Sequence, residues 1–261
     1  MPPTLTEWFA MPRLLATLLL LPSLLLGGCA STGGPDGATS EADPLEPWNR
    51  AVYRFNRTAD EWVLAPAARG YVAVTPEPVD TGVTNVFQNL EDVGNLVNNT
   101  LQGKMDRAVS DLGRVSFNTT LGLLGIFDVA SPLGFERHDE DFGQTLGWWG
   151  VPSGPYFVLP LLGPSTIRDT AGRGGDYFVS PYDYLELTTG GAYALYTLRA
   201  VDFRASLLGT DRLLNEASFD PYAFQRDAWL QRRRNQVHDG DPPMMEEEEM
   251  DMLEGMEGVG E

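Results

Sequence analysis

The 261-residue chain holds one cysteine, Cys29, and two histidines, His138 and His238. A lone cysteine cannot close a disulfide within the chain, so no disulfide framework replaces a core. Two histidines, one of them at the start of a polar tail, leave little for a metal centre. Basic side chains are scarce: 18 Lys and Arg face 37 Asp and Glu, a net charge of −19. That sign excludes nucleic acid as a partner, because phosphate binding needs the opposite charge. The apolar stretch at 14–26 is thirteen residues long, short of the roughly 20 needed to cross a bilayer as a helix. Walker-type and dinucleotide glycine patterns are absent, and Ser165 in Gly163-Pro164-Ser165-Thr166 lacks the Gly-x-Ser-x-Gly elbow of hydrolases.

Both ends stand apart from the body. Residues 1–28 read as a signal peptide with Arg13 ahead of the apolar core. Glu7 and Trp8 suit such a leader poorly, and translation is expected to begin at Met11. The core ends in Leu26-Gly27-Gly28-Cys29, which resembles the bacterial lipobox, so Cys29 is the expected lipid-attachment residue. Several acyl chains, at about 0.8 kcal/mol per buried methylene, make such an anchor permanent. Ala30 rather than Asp follows the cysteine, which by the same resemblance implies export to the outer membrane. Residues 29–42 form a Gly/Ser/Thr/Pro-rich tether, and 238–261 an acidic, disordered tail. Eight acids from Glu246 onward leave the rest of the chain near −11.

Between these ends, residues 43–237 form one domain. Apolar steps of three and four mark helices. Trp48, Val52, Phe55, Ala59 and Trp62 form one stripe; Val79, Val83, Val86, Leu90, Val93 and Val97 another, widened by Phe87 and backed by Asn85, Asn95 and Asn99. Met105 to Thr119 and Ala194 to Leu208 give two more, and Asp220-Pro221 opens a last helix ending near Arg234. Taken singly, each stripe reads as the core face of a helical bundle. Residues 121–187 instead crowd Gly, Pro and aromatics without a long periodic run, and 142–149 could pair with 156–162 as a hairpin across Pro152 to Pro155. The apolar segments 121–127 and 157–162 are too short to span a membrane but long enough to dip into one.

The middle also carries a likeness. Phe142-Gly143-Gln144-Thr145-Leu146-Gly147, Gly150-Val151, Gly154-Pro155-Tyr156, Leu159-Pro160, Gly163, Arg168-Asp169 and Gly172 resemble the signature of the MlaA/VacJ family. Upstream, Asp43-Pro44-Leu45-Glu46, Asn49-Arg50, Phe55-Asn56, Asn85, Asn89-Leu90, Asn98 and Leu101-Gln102-Gly103 extend it, and downstream Asp220-Pro221-Tyr222 does so. The resemblance implies a mostly α ring of amphipathic helices lying in the periplasmic leaflet of the outer membrane of a Gram-negative bacterium. Within that ring a polar channel passes misplaced outer-leaflet phospholipid to a soluble periplasmic carrier, and the ring associates with a porin trimer. Asn85, Val86, Phe87, Asn89 and Leu90 are the expected lipid-facing or channel-forming residues.

His138-Asp139-Glu140-Asp141 is the best catalytic or metal candidate, but adjacent side chains rarely converge on one ion, and a solvated loop is the expectation. No catalytic residue, metal or cofactor is expected. The competing classes are a lipid-anchored scaffolding protein of the envelope and an anchored lipase-like enzyme.

Overall fold

The structure, a computed structural model, describes residues 43–209 and 219–243. The leader, Cys29, the tether and residues 244–261 lie outside that range.

Helix α1 (Glu46–Ala59) begins with Pro47 in its first turn and continues through a π-helical segment (Asp60–Leu64) into α2 (Ala65–Val74). Pro76, with ψ 144°, ends the rod, and Pro78 suits the opening of α3 (Glu77–Leu101). A glycine-mediated reversal at Gly103 (φ 76°) sends α4 (Met105–Thr120) back along α3. The loop after α4 holds Leu123 and Leu124 at positive φ with exposed side chains. Its backbone is clamped by Gly125 N–H to Asn118 O (2.8 Å) and Phe127 N–H to Gly122 O (2.9 Å).

The expected hairpin is corrected. Residues Phe142–Trp148 form helix α5, capped by Asp141, whose carboxylate accepts the Gln144 N–H at 2.8 Å. The strand β1 (Tyr156–Leu159) pairs with β2 (Gly163–Thr166), antiparallel, Tyr156 opposite Thr166. Glycines on the two helices serve close packing. A Cβ on Gly172 would sit 2.4 Å from the Gly143 nitrogen, so α5 and α6 (Ile167–Val179) touch backbone to backbone. Helix α6 also fills part of a stretch that carries no periodic signal. Helices α7 (Thr189–Ser206) and α8 (Pro221–Val237) complete a mostly helical fold.

Helix α1 holds the hairpin by matching two repeats. Asn49 donates to Tyr156 O (3.2 Å) and accepts from Val158 N–H (2.8 Å); Asn56 donates to Leu159 O (2.9 Å) and accepts from Leu161 N–H (2.7 Å). Seven helical residues rise about 10.5 Å, and three strand residues about 10 Å. Two asparagines two turns apart therefore stand in for a neighbouring strand along β1.

A small apolar cluster lies here: Val52, Tyr156, Val158 and Tyr222, with Tyr53, Trp229 and Leu230 packed against it. Elsewhere the arrangement is inverted. Among the described residues the buried set comprises twenty polar or charged side chains and eleven apolar ones, while 36 large apolar side chains are exposed. Helix α3 is the clearest case. Its buried face carries Asn89, Asp92, Asn95, Asn98 and Asn99, whereas Val79 is exposed and Val83, Val86, Leu90, Val93 and Val97 are only half-buried. The stripe that taken singly reads as a core face is thus exposed to half-buried, and the Asn and Asp side chains take the interior.

Candidate functional site: a polar interior with two cavities

The interior is built from side chains that satisfy one another. Arg114, 2% exposed, donates to Asp92 (2.9 Å), Ser131 Oγ (2.9 Å) and Phe135 O (3.2 Å). Asn99 donates to Asp111 (2.7 Å), and Thr145 Oγ1 donates to Asn98 Oδ1 (2.8 Å) while accepting from Gln102 (3.1 Å). Helix α8 is locked on by Arg233, whose guanidinium takes both oxygens of Asp141 (2.6 Å each) and one of Asp169 (2.8 and 3.0 Å). Burial opposes ionisation of Asp141, but the two Arg233 bonds outweigh it and hold that carboxyl below the usual range. A Cβ on Gly143 would fall 2.5 Å from the Arg233 guanidinium, so this lock requires glycine there.

The run His138 to Asp141 is not a solvated loop, which corrects that expectation. His138 Nδ1 lies 3.0 Å from Asp111, Glu140 meets Lys104 (3.1 Å) and Gln102 (2.9 Å), and Asp141 meets Arg233; only Asp139 is largely exposed. Four neighbours take four different partners, so they do not converge. Among the described residues no cluster of three or more His, Cys, Asp or Glu is placed to hold a metal ion. Ser165 is fully buried, its hydroxyl 2.8 Å from Thr170 Oγ1, and is closed to any substrate.

Of the cavities formed by the described residues, one borders the hairpin and another borders α3. The larger, about 920 Å3, lies between α1, the π-helical segment, the hairpin tip, α7 and α8. Leu161, Leu162 and Phe203 give it apolar wall, and Asp60, paired with Arg204 at 2.7 and 2.9 Å, gives it polar wall. The smaller, about 440 Å3, is bounded by α3, α6, α7 and the segment before α5. Leu90, Glu91, Arg137, Arg173, Asp176 and Arg199 face it. Glu91 bridges Arg137 (2.9 Å) and Arg199 (2.9 Å), and the Arg199 guanidinium lies 4.9 Å from the Tyr182 ring centre. Burial raises the Asp176 carboxyl to about 6.

The five expected residues on α3 part company. Leu90 lines the smaller cavity. Asn85 donates to Ile126 O (3.1 Å), tying down the 121–127 loop, and Val86 is half-buried. Phe87 is buried against Tyr182 (ring centres 6.4 Å), and Asn89 is buried with its amide on Thr119 (3.0 Å). Arg137, Arg173, Asp176 and Arg199 were not singled out from the sequence. The one signal for Arg173 and Asp176 was charge embedded in a Gly-rich, aromatic run that lacked an apolar stripe to pack.

Residues 41–236 match the family model described as MlaA lipoprotein. The intermembrane phospholipid transport system lipoprotein MlaA of Escherichia coli (strain K12) is 37% identical, aligned over 84% of this chain and 87% of its own length. Its namesake in Haemophilus influenzae is 35% identical over 85% and 89%. A solved structure from work on the structural basis for maintenance of bacterial outer membrane lipid asymmetry is 35% identical, with TM-score 0.67, covering 75% of this chain and 98% of that one. A mostly helical, lipid-handling envelope class thus stands behind the fold. The chain belongs to the MlaA lipoprotein family.

Proposed function

We propose that this protein is a non-enzymatic phospholipid-transport channel of the outer membrane, drawing misplaced phospholipid from the outer leaflet and passing it to a soluble periplasmic carrier. The observation that carries the reading is the inversion of polarity: among the described residues polar side chains outnumber apolar ones in the interior and form much of the cavity walls, while many large apolar side chains are exposed. A water-soluble bundle buries its apolar faces, because about 25 cal/mol is recovered per Å2 removed from water. A body in one leaflet has no such gain, since acyl chains already surround those faces. Its helices instead cohere through hydrogen bonds and offer a hydrated path to a headgroup.

Among the described residues no helix is long and apolar enough to cross a membrane, which fits immersion in one leaflet. The strained, exposed Leu123 and Leu124 suit insertion among acyl chains. Leu90 then belongs to the channel wall, and Val86 to the surface beside it. Acyl anchoring at Cys29 and docking against a porin trimer complete the proposed setting. The buried Ser165 favours passage without covalent chemistry.

Deletion of the gene should leave phospholipid in the outer leaflet and sensitise cells to detergents and chelators. The readout is labelling of surface-accessible lipid, and normal asymmetry in a clean deletion refutes the transport reading.

A further inference from the structure

Two charges on α6 open on the smaller cavity and, among the described residues, neither has an ion-pair partner. Arg173 Nη2 donates to Pro164 O at 3.3 Å, and among the described residues the guanidinium makes no other hydrogen bond. Asp176 Oδ1 accepts from the Phe142 N–H (2.8 Å) and the Asn98 amide (3.5 Å), while Oδ2 receives no protein donor. The other charges on the wall are matched: Glu91 by Arg137 and Arg199, Asp139 by Arg137, Glu140 by Lys104 and Arg107, Asp141 by Arg233. One cation and one anion are left over.

Residues three apart on a helix are surface neighbours, and Arg173 and Asp176 would ordinarily close on each other. Each is drawn away instead, Arg173 toward the β2 carbonyl and Asp176 toward the start of α5. Burial works against the charged form of the half-buried Asp176 and raises its pKa, while Arg173 lines the cavity with its side chain open to solvent. A ligand with one group of each sign would pair with both.

We infer that Arg173 and Asp176 read the headgroup of a zwitterionic phospholipid, Arg173 taking the phosphodiester and Asp176 the ammonium. This rests on the transport reading above and adds a preference to it. Guanidinium and phosphodiester form short charge-assisted bonds. The rings of Tyr177, Tyr182 and Tyr196 share the wall and suit an ammonium nearby. A glycerol headgroup leaves Asp176 unmatched, and a second anionic group meets like charge, so discrimination comes partly from what Asp176 rejects. The cavity, about 440 Å3, falls in the usual range for small-ligand sites. The same chemistry occurs in free glycerophosphoethanolamine, and the experiment separates the two sources.

The full-length lipoprotein is purified in uncharged detergent and mixed with equal phosphatidylethanolamine and phosphatidylglycerol, and bound lipid is counted by native mass spectrometry. Wild type should favour phosphatidylethanolamine by about tenfold, the scale of one charge-assisted hydrogen bond. Asp176→Asn, which keeps an acceptor for the Phe142 N–H, should bring the ratio near parity with total lipid unchanged. Arg173→Gln should lower both lipids by about tenfold, and Arg173→Lys should restore most of the loss. Circular dichroism identifies any variant that fails to fold, and the wild-type ratio alone still decides. Equal binding of both lipids by wild type, or a preference that survives Asp176→Asn, overturns the inference and leaves the transport reading intact. Retention of soluble glycerophosphoethanolamine without lipid overturns the lipid assignment, and no retention of either overturns both readings.

Discussion

Two regions of this protein are buried by different means. Around Val52, Tyr156, Val158 and Tyr222 the interior is apolar and aromatic, as in any water-soluble domain. Along α3 and α4 it is made of Asp92, Asn98, Asn99, Asp111 and Arg114, all 2% exposed or less. The first region coheres because water is expelled from apolar surface. The second coheres through directed bonds, which retain their strength where acyl chains replace water. The contrast separates two kinds of interior: apolar packing around Val52 and Val158, and hydrogen-bonded polar side chains along α3 and α4, whose Val79, Val109 and Leu112 are left exposed.

The largest expected effect tests that contrast as a whole. The unlipidated body, residues 43–234, should aggregate in plain buffer and become monodisperse in detergent, because 36 large apolar side chains are exposed among the described residues, whereas soluble monomers rarely expose contiguous apolar patches beyond a few hundred Å2. A body that is monodisperse without detergent, by light scattering, would promote the tethered scaffold over the embedded ring. Next in size is Arg114→Ala, which strands the Asp92 carboxylate in the interior with Arg137 at 3.2 Å as its remaining ion-pair partner. Loss of about 3–5 kcal/mol is expected, read by thermal unfolding in detergent. A loss below about 1 kcal/mol would mean that water reaches Asp92 and that the interior is not closed.

Much of this contrast was legible in the sequence, but its sense was not. The 3.6-residue period of α3 and its Asn-rich opposite side are plain in the residues, and periodicity places the helix correctly. Periodicity cannot tell which face is inside, since a stripe turned to lipid and a stripe turned to a core look alike. The resemblance to the MlaA family, not the pattern, supplied the ring. The glycines of α6 leave it no long apolar stripe, and the short run 142–149 carries no helical period strong enough to set it apart from a strand. The cavity residues Arg173 and Asp176 were missed for a related reason: what marks them is a partner each lacks, and lacking a partner is a property of the folded chain.

In the apolar region, Val158→Ala should cost about 1–3 kcal/mol through lost burial and an unfilled space. The measurement is denaturant unfolding in mild detergent. An effect equal to that of Arg114→Ala would erase the distinction between the two interiors. Asn56→Ala touches the edge of the same region, removing one acceptor and one donor from the hairpin tip, and should cost about 1–2 kcal/mol. Faster proteolysis at residues 160–162, with the rest of the fold intact, is the expected signature.

The smallest effect has the opposite sign. Burial raises the Asp176 carboxyl to about 6, with Asp141 adding to the rise while the Phe142 N–H, Asn98 and Arg233 oppose it. In the unfolded chain the same group ionises near 3.9. Between about pH 4 and pH 6 the folded protein therefore holds the proton that the unfolded chain has released, and stability falls as pH rises through that window. Above it the penalty is complete, an upper limit of about 3 kcal/mol that solvent in the cavity reduces. Asn at this position carries no charge and can still accept from Phe142. Asp176→Asn should thus stabilise the protein by about 1–2 kcal/mol at pH 7 and leave it unchanged near pH 4. Unfolding curves of both proteins across that range give the answer. A variant that is less stable at pH 7 would show that the Asp176 carboxylate is already compensated within the protein, and would remove the reason for a ligand to seek it.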